Sequence, residues 1–245
     1  MKIGVNIDSG VVNRIKTGVK GLDNMVGGGI PEGSQILFLG SPGAGKTLLS
    51  LEILYHNAKL EIPSTFITNE ERKGALVNNI KNAFYSFDDY EDYISSNMIQ
   101  ISHRPLIDAF KSRENFEKFI SDCVSDIQTN KSKLVIFDSI SSLRPIMEDD
   151  RTFTRAITYM TEALRDIGVT SILTYEVNQN VSNSDPLSIG LYSTSMFDGI
   201  MVLSMNRSEG ATQYSIEVTK LRNSAHKLSS LPYQITDSGF DVLSN

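Results

Sequence analysis

The sequence predicts an α/β fold, a mostly parallel β-sheet flanked by helices with antiparallel strands at its C-terminal end. Three observations point there. Several short runs rich in β-branched and apolar residues carry no polar face, so they suit strands covered on both sides. Segments whose apolar residues recur three and four apart alternate with those runs, as in βαβ units. Toward the C-terminus the spacing between strands shortens to that of hairpins.

In chain order, an apolar strand at 35–39 leads into a helix over 46–58, and a strand at 64–67 into a helix over 74–87. A strand at 98–101 precedes a helix over 113–128, whose Phe116, Phe119, Ile120, Val124 and Ile127 form one apolar stripe. The strand at 134–137, a helix over 152–167 and the strand at 170–174 continue the alternation. The strands at 199–203 and 213–221 are separated by a hairpin-like turn at 206–210, and short strands at 233–235 and 240–242 flank Asp237-Ser238-Gly239. The acidic stretch 88–92 reads as a solvated loop. No Pro/Gly/Ser-rich linker, charge block or internal repeat divides residues 1–245, so one domain is expected.

Composition narrows the functions available. Hydrophobic residues make up 40% and charged residues 21% of the 245, ordinary globular values. A net charge of −6 offers no footprint for a phosphate backbone, so nucleic acid is not an expected partner. Cys123 is the sole cysteine and the three histidines lack ligand spacing, which excludes an intrachain disulfide and argues against a transition-metal site. The first twelve residues lack the apolar core of a signal peptide, and no apolar run approaches the roughly 20 residues of a membrane span. A cytoplasmic protein without membrane insertion is the expectation.

The most specific motif is Gly40-Ser41-Pro42-Gly43-Ala44-Gly45-Lys46-Thr47, a full match to G-x-x-x-x-G-K-[ST], lying after an apolar strand and before a helix. Its glycines let backbone N–H groups turn inward around a β-phosphate, and the helix opening at Lys46, Thr47 and Leu48 points its positive end at the same anion. Lys46 supplies a mobile cation for the β- and γ-phosphates, and the Thr47 hydroxyl is a ligand for Mg²⁺. A nucleoside triphosphate with Mg²⁺ is therefore the expected ligand.

A second carboxylate-bearing strand end is Leu134-Val135-Ile136-Phe137-Asp138, where Asp138 reads as the Walker B metal-side acid, or as a cap on the following helix. Ser139 and not a glutamate follows it, so a hydrolytic base has to come from elsewhere. Glu70 and Glu71 end the strand after the phosphate-loop helix, at the sheet edge where ligands collect. Either could orient or deprotonate the attacking water, or cap the next helix. Tyr175 and Glu176 end another buried strand and are either γ-phosphate sensors or a strand-end turn.

Four blocks together resemble a known family. Thr17-Gly18 with Gly21-Leu22-Asp23, then Gly27-Gly28-Gly29-Ile30-Pro31-Glu32-Gly33 and the phosphate loop, are similar to the opening of a KaiC-like ATPase domain of the RecA superfamily. Glu70-Glu71 resembles its paired catalytic glutamates and Asp138 its Walker B aspartate. Lys220-Leu221-Arg222-Asn223-Ser224-Ala225-His226 resembles the segment K-L-R-G-T-S-H, and Ile235-Thr236-Asp237 the family's I-T-D. The resemblance implies a RecA-like P-loop fold and a homo-oligomeric ring, usually a hexamer, with ATP between subunits. Lys220, Leu221, Arg222, Ser224 and His226 would then meet the nucleotide of the adjacent protomer, with Lys220, Arg222 and His226 at its γ-phosphate, and Ile235, Thr236 and Asp237 would line its nucleoside. Asn223 stands where the family has glycine; asparagine also tolerates a left-handed backbone, so the turn is expected to survive. Clock members carry two such domains and a phosphorylated tail, so a clock function is not implied.

Two functions fit: a ring-forming ATPase that hydrolyses ATP slowly through Glu70 or Glu71, or an ATP-gated interaction module with little turnover and a protein partner still to be identified. The second is similar to the KaiC-like accessory protein of the archaeal motility motor. A DNA-handling recombinase relative is disfavoured by the acidic charge and by a cation-poor stretch between Tyr175 and Phe197.

Overall fold

The computed structural model describes residues 12–105, 113–177, 193–208, 211–227 and 229–243. Eleven strands and six α-helices lie among them. A small hairpin of β1 (Arg14–Ile15) and β2 (Ile30–Pro31) brackets the short helix α1 (Leu22–Met25). Inside that bracket, Asp23 Oδ1 accepts from the backbone N–H and hydroxyl of Thr17 at 2.8 and 2.9 Å, and Oδ2 from Gly18 N–H at 3.2 Å. One carboxylate thus closes the Thr-Gly loop onto its own helix.

The main sheet contains β3 (Gln35–Gly40), β4 (Ser64–Thr68), β5 (Ile99–His103), β6 (Leu134–Asp138), β7 (Thr170–Glu176), β8 (Gly199–Ser208), β9 (Ala211–Leu221), β10 (Leu231–Thr236) and β11 (Gly239–Val242). Their order is β11-β10-β9-β8-β3-β7-β6-β4-β5. From β8 to β5 all pairs are parallel, and from β8 to β11 all are antiparallel. The expected strands are all present. Asn206 and Arg207, expected in a turn, instead pair with Gln213 and Thr212, so β8 and β9 run on to Ser208 and Ala211. Glu209 and Gly210 lie outside the described residues.

The apolar strands are covered on both faces, as their composition requires. Ile36, Phe38, Phe66, Ile136 and Ile172 face α2 (Lys46–Lys59) and α3 (Lys73–Ala83). Leu37, Leu39, Ile67, Val135, Phe137 and Leu173 face α5 (Arg113–Thr129) and α6 (Asp150–Asp166). Successive strand side chains point to opposite faces, so each strand feeds two cores.

Two expectations are corrected on the α2 face. The predicted helix over 74–87 ends at Ala83, and residues 88–92 are not simply a loop, since α4 spans Tyr90–Ser95. The break lets Phe84 and Phe87 both turn inward, where Phe87 stacks on Tyr55 with ring centroids 4.0 Å apart. Asp89 accepts the Tyr55 hydroxyl at 2.6 Å. No helix among the described residues is long and apolar enough to cross a membrane.

Candidate functional site

The carboxyl ends of β3, β4, β6 and β7 lie side by side, so residues far apart in sequence converge there. The loop after β3 turns at Gly43 (φ 81°) and Gly45 (φ 83°), and α2 begins at Lys46. Gly45 caps this helix with no side-chain hydrogen bond, which leaves the first-turn N–H groups of Lys46, Thr47 and Leu48 available to an anion. Any other residue at Gly45 is strained in φ and would place Cβ 2.8 Å from Phe240 Cζ and 3.2 Å from Ile235 Cδ1. Ser41 and Pro42 form the outer turn, and the Ala44 carbonyl accepts the Tyr233 hydroxyl.

Lys46 is buried and its Nζ donates to the carbonyls of Gly40 and Ser41 at 2.8 and 3.0 Å. Burial lowers its pKa, while the charges of Glu176, Asp138 and Glu70 oppose that shift. The charges of three carboxylates thus bear on one ammonium whose hydrogen bonds go to backbone carbonyls. Thr47 Oγ1 donates to Asp138 Oδ2 at 2.8 Å, and the Thr174 hydroxyl donates to Asp138 Oδ1. A hydroxyl beside a carboxylate is a hard oxygen donor pair of the kind that would suit Mg²⁺. Among the described residues, no group of three or more His, Cys, Asp or Glu is placed to form an all-protein metal cage.

The two glutamates part company here. Glu70 Oε1 accepts from Ser139 Oγ at 3.0 Å, whereas Glu71 Oε2 accepts from Asn79 Nδ2 on α3 at 2.8 Å. Much of Glu70 is open to solvent, yet partial burial of its carboxyl raises its pKa first. The charges of Asp138, Glu176 and Glu71 push the same way, and the Ser139 bond pulls back. Asn69 joins the two strand ends by donating to Ser139 O at 2.8 Å and accepting from Ser139 N–H at 3.2 Å. Ser139 and Asn69 were visible only as neighbours of Asp138 and Glu70. Thr174 carried no sequence signal, because only the pairing of Phe137 with Leu173 brings it beside Asp138.

The C-terminal segments fall into two places. Ile235 sits over Gly45 of the same chain and lines an open groove of about 650 Å³ with Tyr214, Tyr233 and Gln234. Thr236 and Asp237 form the turn beside it. Lys220, Leu221 and Arg222 lie elsewhere: Leu221 pairs with Gly199, which pairs with Ile36, four residues below Gly40. Along the strand direction, at the usual rise per residue, Leu221 thus lies about 13 Å below Gly40, and Lys220, level with Leu37, about 10 Å below it. Lys220 Nζ donates to Phe197 O and Thr194 O at 2.6 and 3.1 Å, and Arg222 Nη1 to Asp198 Oδ1 at 3.2 Å. Partial burial and the neighbouring Arg222 lower the Lys220 pKa. Asn223 adopts φ 56°, the left-handed turn expected of it. Ser224 Oγ donates to Val26 O at 2.6 Å, and His226 lies two residues beyond. Of the cation-poor stretch, residues 178–192 are outside the described residues.

Comparison with known proteins agrees with this geometry. The family described as ATPase: KaiC matches residues 15–245. The UPF0273 protein of Methanopyrus kandleri is 29% identical, with 94% of this chain and 92% of that protein covered. The circadian clock oscillator protein KaiC of Picosynechococcus sp. is 27% identical over 94% of this chain, which spans 44% of that longer protein. The crystal structure of a KaiC-like protein from Pyrococcus horikoshii superposes with a TM-score of 0.81 at 25% identity, covering 95% of this chain and 100% of that one. The sheet order, the phosphate loop and these matches lead to one assignment: the chain belongs to the KaiC ATPase family, with its RecA-like fold.

Proposed function

We propose that this protein binds Mg²⁺·ATP and hydrolyses it slowly to ADP and phosphate at a site completed by a second copy of the chain in a homo-oligomeric, hexameric ring. The observation that carries this reading is the split site. Lys46, Thr47, Asp138 and Glu70 converge at one end of the sheet, while Lys220 and Arg222 lie toward the other, Lys220 level with Leu37 and Arg222 near the start of β3. Cations turned toward Thr194, Phe197 and Asp198, away from their own loop, suit a γ-phosphate held by a second copy.

In this reading the N–H groups from Gly43 to Leu48 cradle the β-phosphate, and Lys46 neutralises the β- and γ-oxygens. Thr47 and Asp138 would hold Mg²⁺, which when bound offsets phosphate charge. Glu70, steadied by Ser139, takes the proton of the attacking water as the water oxygen bonds to the γ-phosphorus. The bond from that phosphorus to the bridging oxygen breaks and ADP departs with its electron pair. Lys220, Arg222 and His226 of the neighbouring copy face the spreading charge. The nucleoside would occupy the groove lined by Ile235 of the same chain, next to the turn that carries Thr236 and Asp237.

Phosphate release from Mg²⁺·ATP, measured over a wide range of protein concentration beside oligomer mass, tests the reading. Specific activity is expected to rise as the oligomer forms. Nucleotide binding and assembly with only background turnover would instead mark an ATP-gated interaction module.

A further inference from the structure

Glu52 has no part in the chemistry above, yet it is 2% exposed in the middle of α2, two turns below the phosphate loop. Its Oε2 accepts the backbone N–H of Phe240 at 2.8 Å and its Oε1 lies 3.4 Å from His56 Nε2. Gly239 packs against the same carboxylate, since a Cβ there would come within 2.4 Å of Oε1. Phe240 in turn reaches back to Gly45, and Ile235, paired with Phe240 across the hairpin, touches the same glycine. The turn between them carries Thr236 and Asp237. On its other side, Ser86 donates its N–H and its hydroxyl to the Asp237 carbonyl at 3.4 and 3.3 Å.

We propose that Glu52 is a positioning residue that ties the β10–β11 turn to the phosphate-loop helix, setting the distance between the phosphate cradle and the nucleoside wall. The proposal rests on the nucleotide-binding reading and deepens it. A carboxylate suits this task because one oxygen takes the strand N–H while the other stays with His56, and Gly239 leaves room for both. Burial pushes the Glu52 carboxyl above its ordinary range, and the bonds from His56 and Phe240 pull it back. An apolar side chain would fill the space more cheaply. An apolar side chain, however, could not accept the Phe240 N–H.

The test separates the nucleoside from the phosphates by measuring binding of Mg²⁺·ATP and of Mg²⁺·tripolyphosphate. Glu52→Met keeps the volume but removes the acceptor. It is expected to weaken ATP binding about tenfold, the scale of one lost hydrogen bond, and to leave tripolyphosphate binding unchanged. Glu52→Gln, which retains an acceptor oxygen, should restore ATP affinity. Gly239→Ala, which sets a Cβ against the carboxylate and strains the same turn at φ 117°, loosens this tie from the strand side and decides the matter should Glu52→Met not fold; the same selective loss is expected. Equal weakening of both ligands, or of neither, would overturn the role of Glu52. Failure of the native protein to bind either ligand would instead overturn the nucleotide reading itself.

Discussion

Glu70 and Glu71 are adjacent in sequence and differ in what they touch. Glu70 reaches Ser139 beside Asp138 and the Lys46 ammonium, while Glu71 bonds Asn79 on α3. Glu70→Gln is therefore expected to lower kcat about 10²–10⁴-fold, the usual worth of a positioned base, with ATP affinity retained. Glu71→Gln should cost far less. Steady-state turnover with equilibrium ATP binding checks both, and equal damage from the two would remove Glu70 from its assigned role. Glu52 gives a pH prediction whose sign follows from linkage. Its folded pKa is raised above the unfolded value near 4.5, with His56 and the Gly239–Phe240 backbone facing it. The folded state thus holds the proton longer, so the stability contributed by this group falls as pH rises from about 4.5 through the raised value. Thermal melts across pH should show the native chain losing ground to Glu52→Gln over that window and then running parallel. A constant difference would count against a raised pKa. Lys46, Thr47, Asp138 and the glutamate pair were legible because chemistry dictates residue type and spacing there. Thr174, Ser139 and Glu52 were not, because a hydroxyl or an acid becomes meaningful only through its neighbour in space.

At the scale of elements, the strands were legible because burial on both faces leaves a run with no polar side, and the antiparallel end because short connections allow little else. The α3–α4 break was not. Phe84 and Phe87 continue the helical spacing, and the turn is fixed by Ser86 meeting Asp237, 151 residues away. The turn after β9 yields a prediction of its own. Asn223 holds φ 56° and its carbonyl accepts Arg14 Nη2 at 2.9 Å. Asn223→Ala should destabilise by up to about 1 kcal/mol, because alanine lacks the short polar side chain that lets asparagine tolerate a left-handed backbone, whereas Asn223→Gly, which removes the Cβ, should be neutral or slightly stabilising. Urea midpoints of the two variants check this, and equal midpoints would show that the turn relaxes.

For the whole molecule, the split between the phosphate loop and the Lys220–Arg222 cations makes complementation the decisive test. Lys46→Ala should abolish ATP binding at its own site, and Arg222→Ala should lower turnover about 10³–10⁵-fold, the range for an arginine acting on phosphoryl transfer. Mixed together, the two variants should recover measurable turnover, because some interfaces pair an intact loop with an intact cation. No recovery in mixtures that demonstrably co-assemble would place both groups at one chain's site. The sequence by itself determined the fold class, the phosphate loop and the acids at the strand ends, since periodicity, glycine placement and residue chemistry are local properties of the chain. Only the tertiary structure decided that Glu70 and not Glu71 faces Asp138's end of the sheet, that Ile235 covers its own Gly45, and that Lys220 lies out of reach of its own loop. Those facts depend on strand order and register, which are set by pairing between segments that the sequence keeps far apart.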